Sequence, residues 1–269
     1  MKTKKVLLML AVFLGLASSV KAQQLTVEYL VKANVNSPSF MAGAGLPDEV
    51  RSMYANAMKD LEMKFVLRYN DGESEFANVP MDKPQSVTIM GQTIDGKTLE
   101  EQYKGNITYK NRKKNVFVQR NNFMGKVILV KDSLDADTFE VVSGEEKQIL
   151  GYECKKAVSK KDKNQIVWFT DYIPVVDGPF IGVGITGLAL EASDNSNIYE
   201  ATNITDTVSG TFSEPTDGEV MTAKEFNDYV TQTTAKNEFR LIMTLFCITS
   251  GHLNPLIMYT AILLRVLQN

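Results

Sequence analysis

Histidine, cysteine and tryptophan are nearly missing from this 269-residue chain, which holds one His, two Cys and one Trp. Each scarcity removes a class of chemistry. His252 cannot join Cys154 and Cys247 in a tetrahedral zinc site of the usual kind. It supplies no paired base for a nucleophilic triad, and no Gly-x-Ser-x-Gly elbow occurs. Asp-rich loops with calcium-binding spacing are lacking as well. Neither a metal nor an organic cofactor is expected. Cys154 lies in a strand-like stretch and Cys247 in a segment of different character, so no disulfide is expected and Cys154 reads as a small buried apolar residue. Positive charge is also short, with 29 Lys+Arg against 32 Asp+Glu. That balance makes nucleic acid and anionic membrane surfaces poor candidates as partners, and no nucleic acid is expected. The one basic run, Lys110 to Lys114, falls where a turn is expected and reads as a solvated hairpin tip.

What is present begins with a leader. Lys2, Lys4 and Lys5 precede an apolar run from Val6 to Leu16, and Val20-Lys21-Ala22 offers small residues at a cleavage site. The expected address is outside the cytoplasm, in the periplasm or at the outer membrane. From Leu241 to Leu264 no charged residue occurs, yet Gly, Asn and Pro cluster in the middle of that run. A weak anchor, buried core elements and a tail foreign to the domain all fit. The composition shifts inside a helix, which favours the last. Membrane contact is expected only if residues 239–269 are a real anchor.

Between these ends the chain reads as short strands with turn punctuation. Residues 24–35 alternate, with Leu25, Val27, Tyr29 and Val31 on one face. One helix is expected over about 47–62, where Val50, Met53, Tyr54, Ala57, Met58 and Leu61 fall at helical spacing. Thr222 and Glu225 form a capping box for a second. Short links between consecutive strands mean a meander rather than a βαβ series. The expected fold is mainly β (α+β by content): one large curved antiparallel sheet or half-barrel, with an N-terminal-half helix packed on it and a C-terminal helix. Its parts are a signal peptide (1–22), a β domain (23–212), a polar break and helix (213–238) and an atypical apolar tail (239–269).

GVGITG at 182–187 matches the dinucleotide fingerprint G-x-G-x-x-G. That mechanism needs a helix after the glycines. Here a break at Ser193–Asn197 and an alternating segment follow, so the nucleotide reading fails. The wider stretch 149–194 carries Gly151-Tyr152, Cys154 and Ala157, then Trp168, Ile173-Pro174, Gly178-Pro179, GITGLA at 184–189 and Leu190-Glu191. In that order these residues resemble the GLPGLI family of exported proteins. Gly184, Gly187 and Leu188 match its name motif, while Ile185, Thr186 and Ala189 depart from it. The resemblance implies a β-rich envelope protein without established activity, working beside outer-membrane transport systems, with a receptor or transporter component as partner.

No catalytic constellation emerges. Glu73 with Glu75, and Glu145 with Glu146, are turn-located carboxylates of the solvated kind. The expected function is a non-catalytic accessory or binding protein. Alternatives are a carrier of a small ligand, lipid or peptide on the concave sheet face, and a carboxylate-based hydrolase. The candidate partner or ligand loop comprises Trp168, Tyr172, Pro174, Pro179, Gly184, Gly187 and Leu188. Its plainer role is to close one end of the sheet. Asp132-Ser133-Leu134 and Asp206-Thr207-Val208 fit a short O-glycosylation pattern.

Overall fold

The computed structural model describes residues 24–38, 40, 48–89, 92–123, 125–134, 138–179, 184–230 and 232–233. The expected leader and the tail at 239–269 lie outside the described residues, as do residues 182–183 of GVGITG.

β1 (Gln24–Ala33) alternates as its sequence demands: Leu25, Val27, Tyr29 and Val31 are buried, and the residues between them are only partly covered. It is the centre of the sheet and pairs on both sides. On one side follow β2 (Glu62–Asn70), β3 (Glu73–Val79), β6 (Ile107–Asn111), β7 (Val116–Phe123) and β8 (Lys126–Asp132). On the other follow β13 (Asn197–Thr205), β12 (Leu188–Ser193), β11 (Ile166–Thr170), β10 (Tyr152–Ser159) and β9 (Phe139–Ile149). Two antiparallel meanders thus flank one early strand. The three-residue β14 (Glu219–Met221) adds to the outer edge of β8 in parallel, so the open 12-stranded sheet is mixed rather than wholly antiparallel. Type-compatible turns close the hairpins. Asp71-Gly72 joins β2 to β3 with both residues at positive φ, as a two-residue turn requires.

The helix expected at 47–62 is α1 (Asp48–Met58). Its chain then enters β2 four residues after Met58. Tyr54 and Met58 are its buried residues, and they join Leu61, Val87, Ile89 and Leu99 in a second core. That core lies between α1, the small hairpin of β4 (Val87–Ile89) and β5 (Gln92–Ile94), and α2 (Gly96–Tyr103). Ala33 and Val35, at the end of β1, pack against it. The helix therefore meets the large sheet at one end. Asp95 caps α2 by accepting from the Thr98 amide.

The C-terminal segment wraps around one edge of the sheet. By register, Thr26, Arg68, Glu75, Tyr109, Val118 and Lys131 form a row across six strands on the outer face. Residues 207–214 follow that row. Thr207 O accepts from Thr26 (2.6 Å), Ser209 O accepts from Arg68 (3.0 Å), Phe212 packs on Tyr109, Val118 and Leu129, and Glu214 pairs with Lys131 (2.8 Å). What reads in sequence as a polar break is a strap. After β14 the chain crosses to the inner face as helix α3 (residues 223–230). There Phe226, Tyr229 and Val230 cover Phe123, Ile128 and Val130. Its capping box is formed, with Thr222 and Glu225 bonded reciprocally at 2.8–3.2 Å. Among the described residues no helix is long and apolar enough to cross a membrane.

Candidate functional site

The distinctive element is the connection between β11 and β12, of which residues 171–179 and 184–187 are described. It does not leave the molecule as an ordinary loop. It folds back over the inner face of the sheet, where Val175 is fully buried in the central core with Tyr29, Leu67, Phe76, Leu188 and Leu190. Backbone pairing fixes this path: the Leu188 amide donates to Ile173 O (3.2 Å) and the Ala189 amide to Asp177 O (2.9 Å). The Tyr29 hydroxyl, buried beneath, donates to Ala189 O at 2.6 Å.

Two glycines permit the close approach. A Cβ on Gly187 would stand 1.8 Å from Thr170 O, which no side chain can occupy. Gly184 has φ +99°, and a Cβ there would meet Phe139 O at 2.2 Å. Both belong to the candidate loop, and each lies where the backbone passes close to another strand's carbonyl.

Under the loop lies a buried ion pair. Lys110 projects inward from β6, in the row Tyr69, Ser74, Lys110, Phe117. Its Nζ pairs with Asp177 Oδ1 and donates to Gly178 O at 2.6 Å. Both side chains are essentially inaccessible. Burial pulls the lysine below its ordinary pKa, and the Asp177 charge opposes that fall. Ser74 Oγ and Asp177 Oδ2 are buried with no hydrogen-bond partner among the described residues. The reading of Lys110–Lys114 as a solvated tip is thus corrected. Lys113 and Lys114 are exposed at the turn, whereas Lys110 belongs to the strand before it and alternation sends its side chain inward. Sequence reasoning missed the Lys110–Asp177 pair because it joins positions 67 residues apart. The only local signal was an inward-facing lysine in a strand.

The opposite side of the same loop faces solvent. Tyr172 is 72% exposed. Beside it Asp171 accepts from Lys155 Nζ (2.7 Å) and from the Thr186 hydroxyl. These bonds, the lysine's first, hold its carboxyl below the usual carboxylate range. Pro174, also exposed, follows two residues later. The predicted set therefore divides. Tyr172 and Pro174 lie outside, Pro179, Gly187 and Leu188 lie inside, and Gly184 forms the approach to Phe139. Trp168 is half-buried against the central core, with Lys147 Nζ 4.4 Å from its ring centroid and Lys156 Nζ at 5.9 Å. The bulge between Trp168 and Phe169 lets the latter be fully buried in the neighbouring core cluster. Cys154 is a buried thiol whose pKa is pushed up to about 11 by desolvation, so it is inert as a nucleophile.

One small cavity lies beside the loop among the described residues. The cavity bounded by Arg112, Phe139, Val167, Asp177, Gly178, Ile185 and Ala189 measures about 10 Å³, far too small for a lipid or peptide. The carboxylate pairs noted in sequence are engaged separately: Glu73 accepts from Asn111 (2.6 Å), Glu75 pairs with Arg68 and Glu145 with Lys156 (2.9 Å). Among the described residues no group of three or more His, Cys, Asp or Glu could hold a metal ion.

An open 12-stranded mixed sheet with a few short helices, whose β11–β12 loop lies on its inner face and carries an exposed tyrosine, defines a β-rich domain. Comparison with known families gives that class an affiliation. A family model described as "N-glycanase peptide, N-terminal domain" matches residues 73–231, more than half of the chain. The chain belongs to this family of N-glycanase N-terminal domains. The finding overturns the resemblance to the GLPGLI family, since the match includes the whole stretch 149–194 on which that resemblance stood. No curated protein matches the chain.

Proposed function

We propose that this domain recognises carbohydrate without performing the chemistry, and that its ligands are glycans of the asparagine-linked class on which an N-glycanase acts. The observation that carries the reading is the loop crest. Tyr172 holds an aromatic ring in solvent next to Asp171, Lys155 and Thr186. A sugar presents an apolar C–H face ringed by hydroxyls, and an aromatic ring flanked by charged and hydroxyl groups complements both. The loop is held from below by the Lys110–Asp177 pair and by pairing with β12, so the surface is ordered before a ligand arrives. Family membership supports the ligand class. Action outside the cytoplasm, which the leader-like residues 1–22 support, would bring the domain into contact with glycoproteins. An accessory role in outer-membrane transport rested on the GLPGLI resemblance and has no remaining support.

The test is a binding titration with an asparagine-linked glycopeptide and with the same peptide after glycan removal. Saturable binding to the glycopeptide alone is expected. Equal affinity for both peptides, or none for either, contradicts the proposal.

A further inference from the structure

The underside of the loop carries an inference independent of glycan recognition. Asp177 is 2% exposed. Its Oδ1 is fully engaged, receiving Lys110 Nζ and the Gly178 amide (2.7 Å). Its Oδ2 is buried and has no partner among the described residues. A carboxylate oxygen left dry and unbonded is strongly unfavourable, so native proteins rarely tolerate it. Asp177 also borders the cavity of about 10 Å³ described above, whose wall combines Arg112 with the apolar Phe139, Val167, Ile185 and Ala189.

We propose that this cavity is a binding site for one structural water molecule, which donates to Asp177 Oδ2 and accepts from the Arg112 guanidinium. The volume decides the size of the ligand, because a cavity of roughly 10–15 Å³ accommodates one water centre. Charge decides its nature. Lys110 and Arg112 already place two cations beside one carboxylate, which disfavours a further cation such as ammonium. A second anion would face Asp177 in a wall otherwise apolar. A neutral molecule that both donates and accepts satisfies the two polar sides at once. The water then extends the ion pair into a link between the β6–β7 turn, which carries Arg112, and the loop that carries Asp177.

Two measurements test the site. A crystal structure at high resolution is expected to show a water within hydrogen-bond distance of Asp177 Oδ2. An amide of the chain bonded there, or no density at all, overturns the proposal. Val167→Ile adds one methylene to the cavity wall. If the water is present, its displacement strands Oδ2 and Tm falls by about 2–4 °C. If the cavity is dry, the added methylene fills a void and Tm rises or stays level, which also overturns the proposal.

Discussion

Lys110 and Asp177 show most plainly how one residue pair organises this domain. A lysine ammonium taken out of water is unfavourable, as its lowered pKa records, and only a partner brought in by the loop compensates it. Lys110→Met removes the cation and leaves the Asp177 carboxylate buried without it. We expect a loss of about 3–5 kcal/mol in urea unfolding. In the double variant Lys110→Met with Asp177→Asn, no charge remains and part of that loss should return. If the single variant cost less than about 1 kcal/mol, the pair would not be the fastener described. Gly187 makes a second residue-scale prediction. Gly187→Ala places a Cβ inside Thr170 O, so the loop must shift, and a destabilisation of roughly 1–3 kcal/mol is expected. An Ala variant as stable as the parent in the same unfolding assay would contradict the close approach. Of the loop, the glycines, the prolines and Tyr172 can be named from the sequence because they are local signals; which of them face solvent cannot. Nor can the ion pair, because only the folded sheet brings β6 beneath the β11–β12 connection. The family assignment failed for a related reason. Gly and Pro recur wherever a loop must pass close to backbone, so that pattern reports loop geometry more readily than ancestry.

At the scale of elements, alternation predicted most strands and the capping box predicted α3. The pieces that escaped were short: β5, α2 and β14 span three, eight and three residues. Windows that small carry little periodicity. Strand order escaped as well, because pairing of β1 with β13 depends on contacts some 170 residues apart and leaves no mark in either strand alone. The strap was hidden by its own composition. Pro215 and Gly218 read as a linker, yet Pro215 is buried and Asp217 is bonded to Arg120 at 2.7 Å. Its anchor is Phe212, which sits on the outer-face cluster of Tyr109, Val118 and Leu129 and under the Arg68 guanidinium. Phe212→Ala should release the strap while leaving β1, β2 and β3 intact. Hydrogen exchange is expected to quicken across residues 207–221 and stay unchanged in β1 and β2. Uniform quickening throughout the sheet would mean that the strap is part of the global fold and has no separate identity.

For the whole molecule, burial of tyrosine sets the alkaline limit of stability. Tyr29, Tyr69, Tyr103, Tyr109 and Tyr199 all have pKa values raised above 10.0, in each case mainly by desolvation. A phenol whose folded pKa exceeds its unfolded value contributes stability below the unfolded value and loses it as pH climbs toward the folded one. Lys110 acts in the opposite sense, since its lowered pKa makes stability rise with pH between its folded value and 10.5. Five phenols outweigh one amine, so stability should decline above about pH 10. Spectrophotometric titration is expected to show the deeply buried Tyr29 and Tyr199 ionising only together with loss of the sheet. Smooth ionisation near pH 10 with the fold intact would refute their burial. At this scale the proposed carbohydrate recognition depends on a loop, pinned from beneath, that holds Tyr172 in solvent. The most direct measurement is the affinity of the protein and of its Tyr172→Ala variant for one asparagine-linked glycopeptide, with Tm recorded for both. A loss of about 10-fold or more in affinity at unchanged Tm is expected. Equal affinity in the two proteins would contradict it.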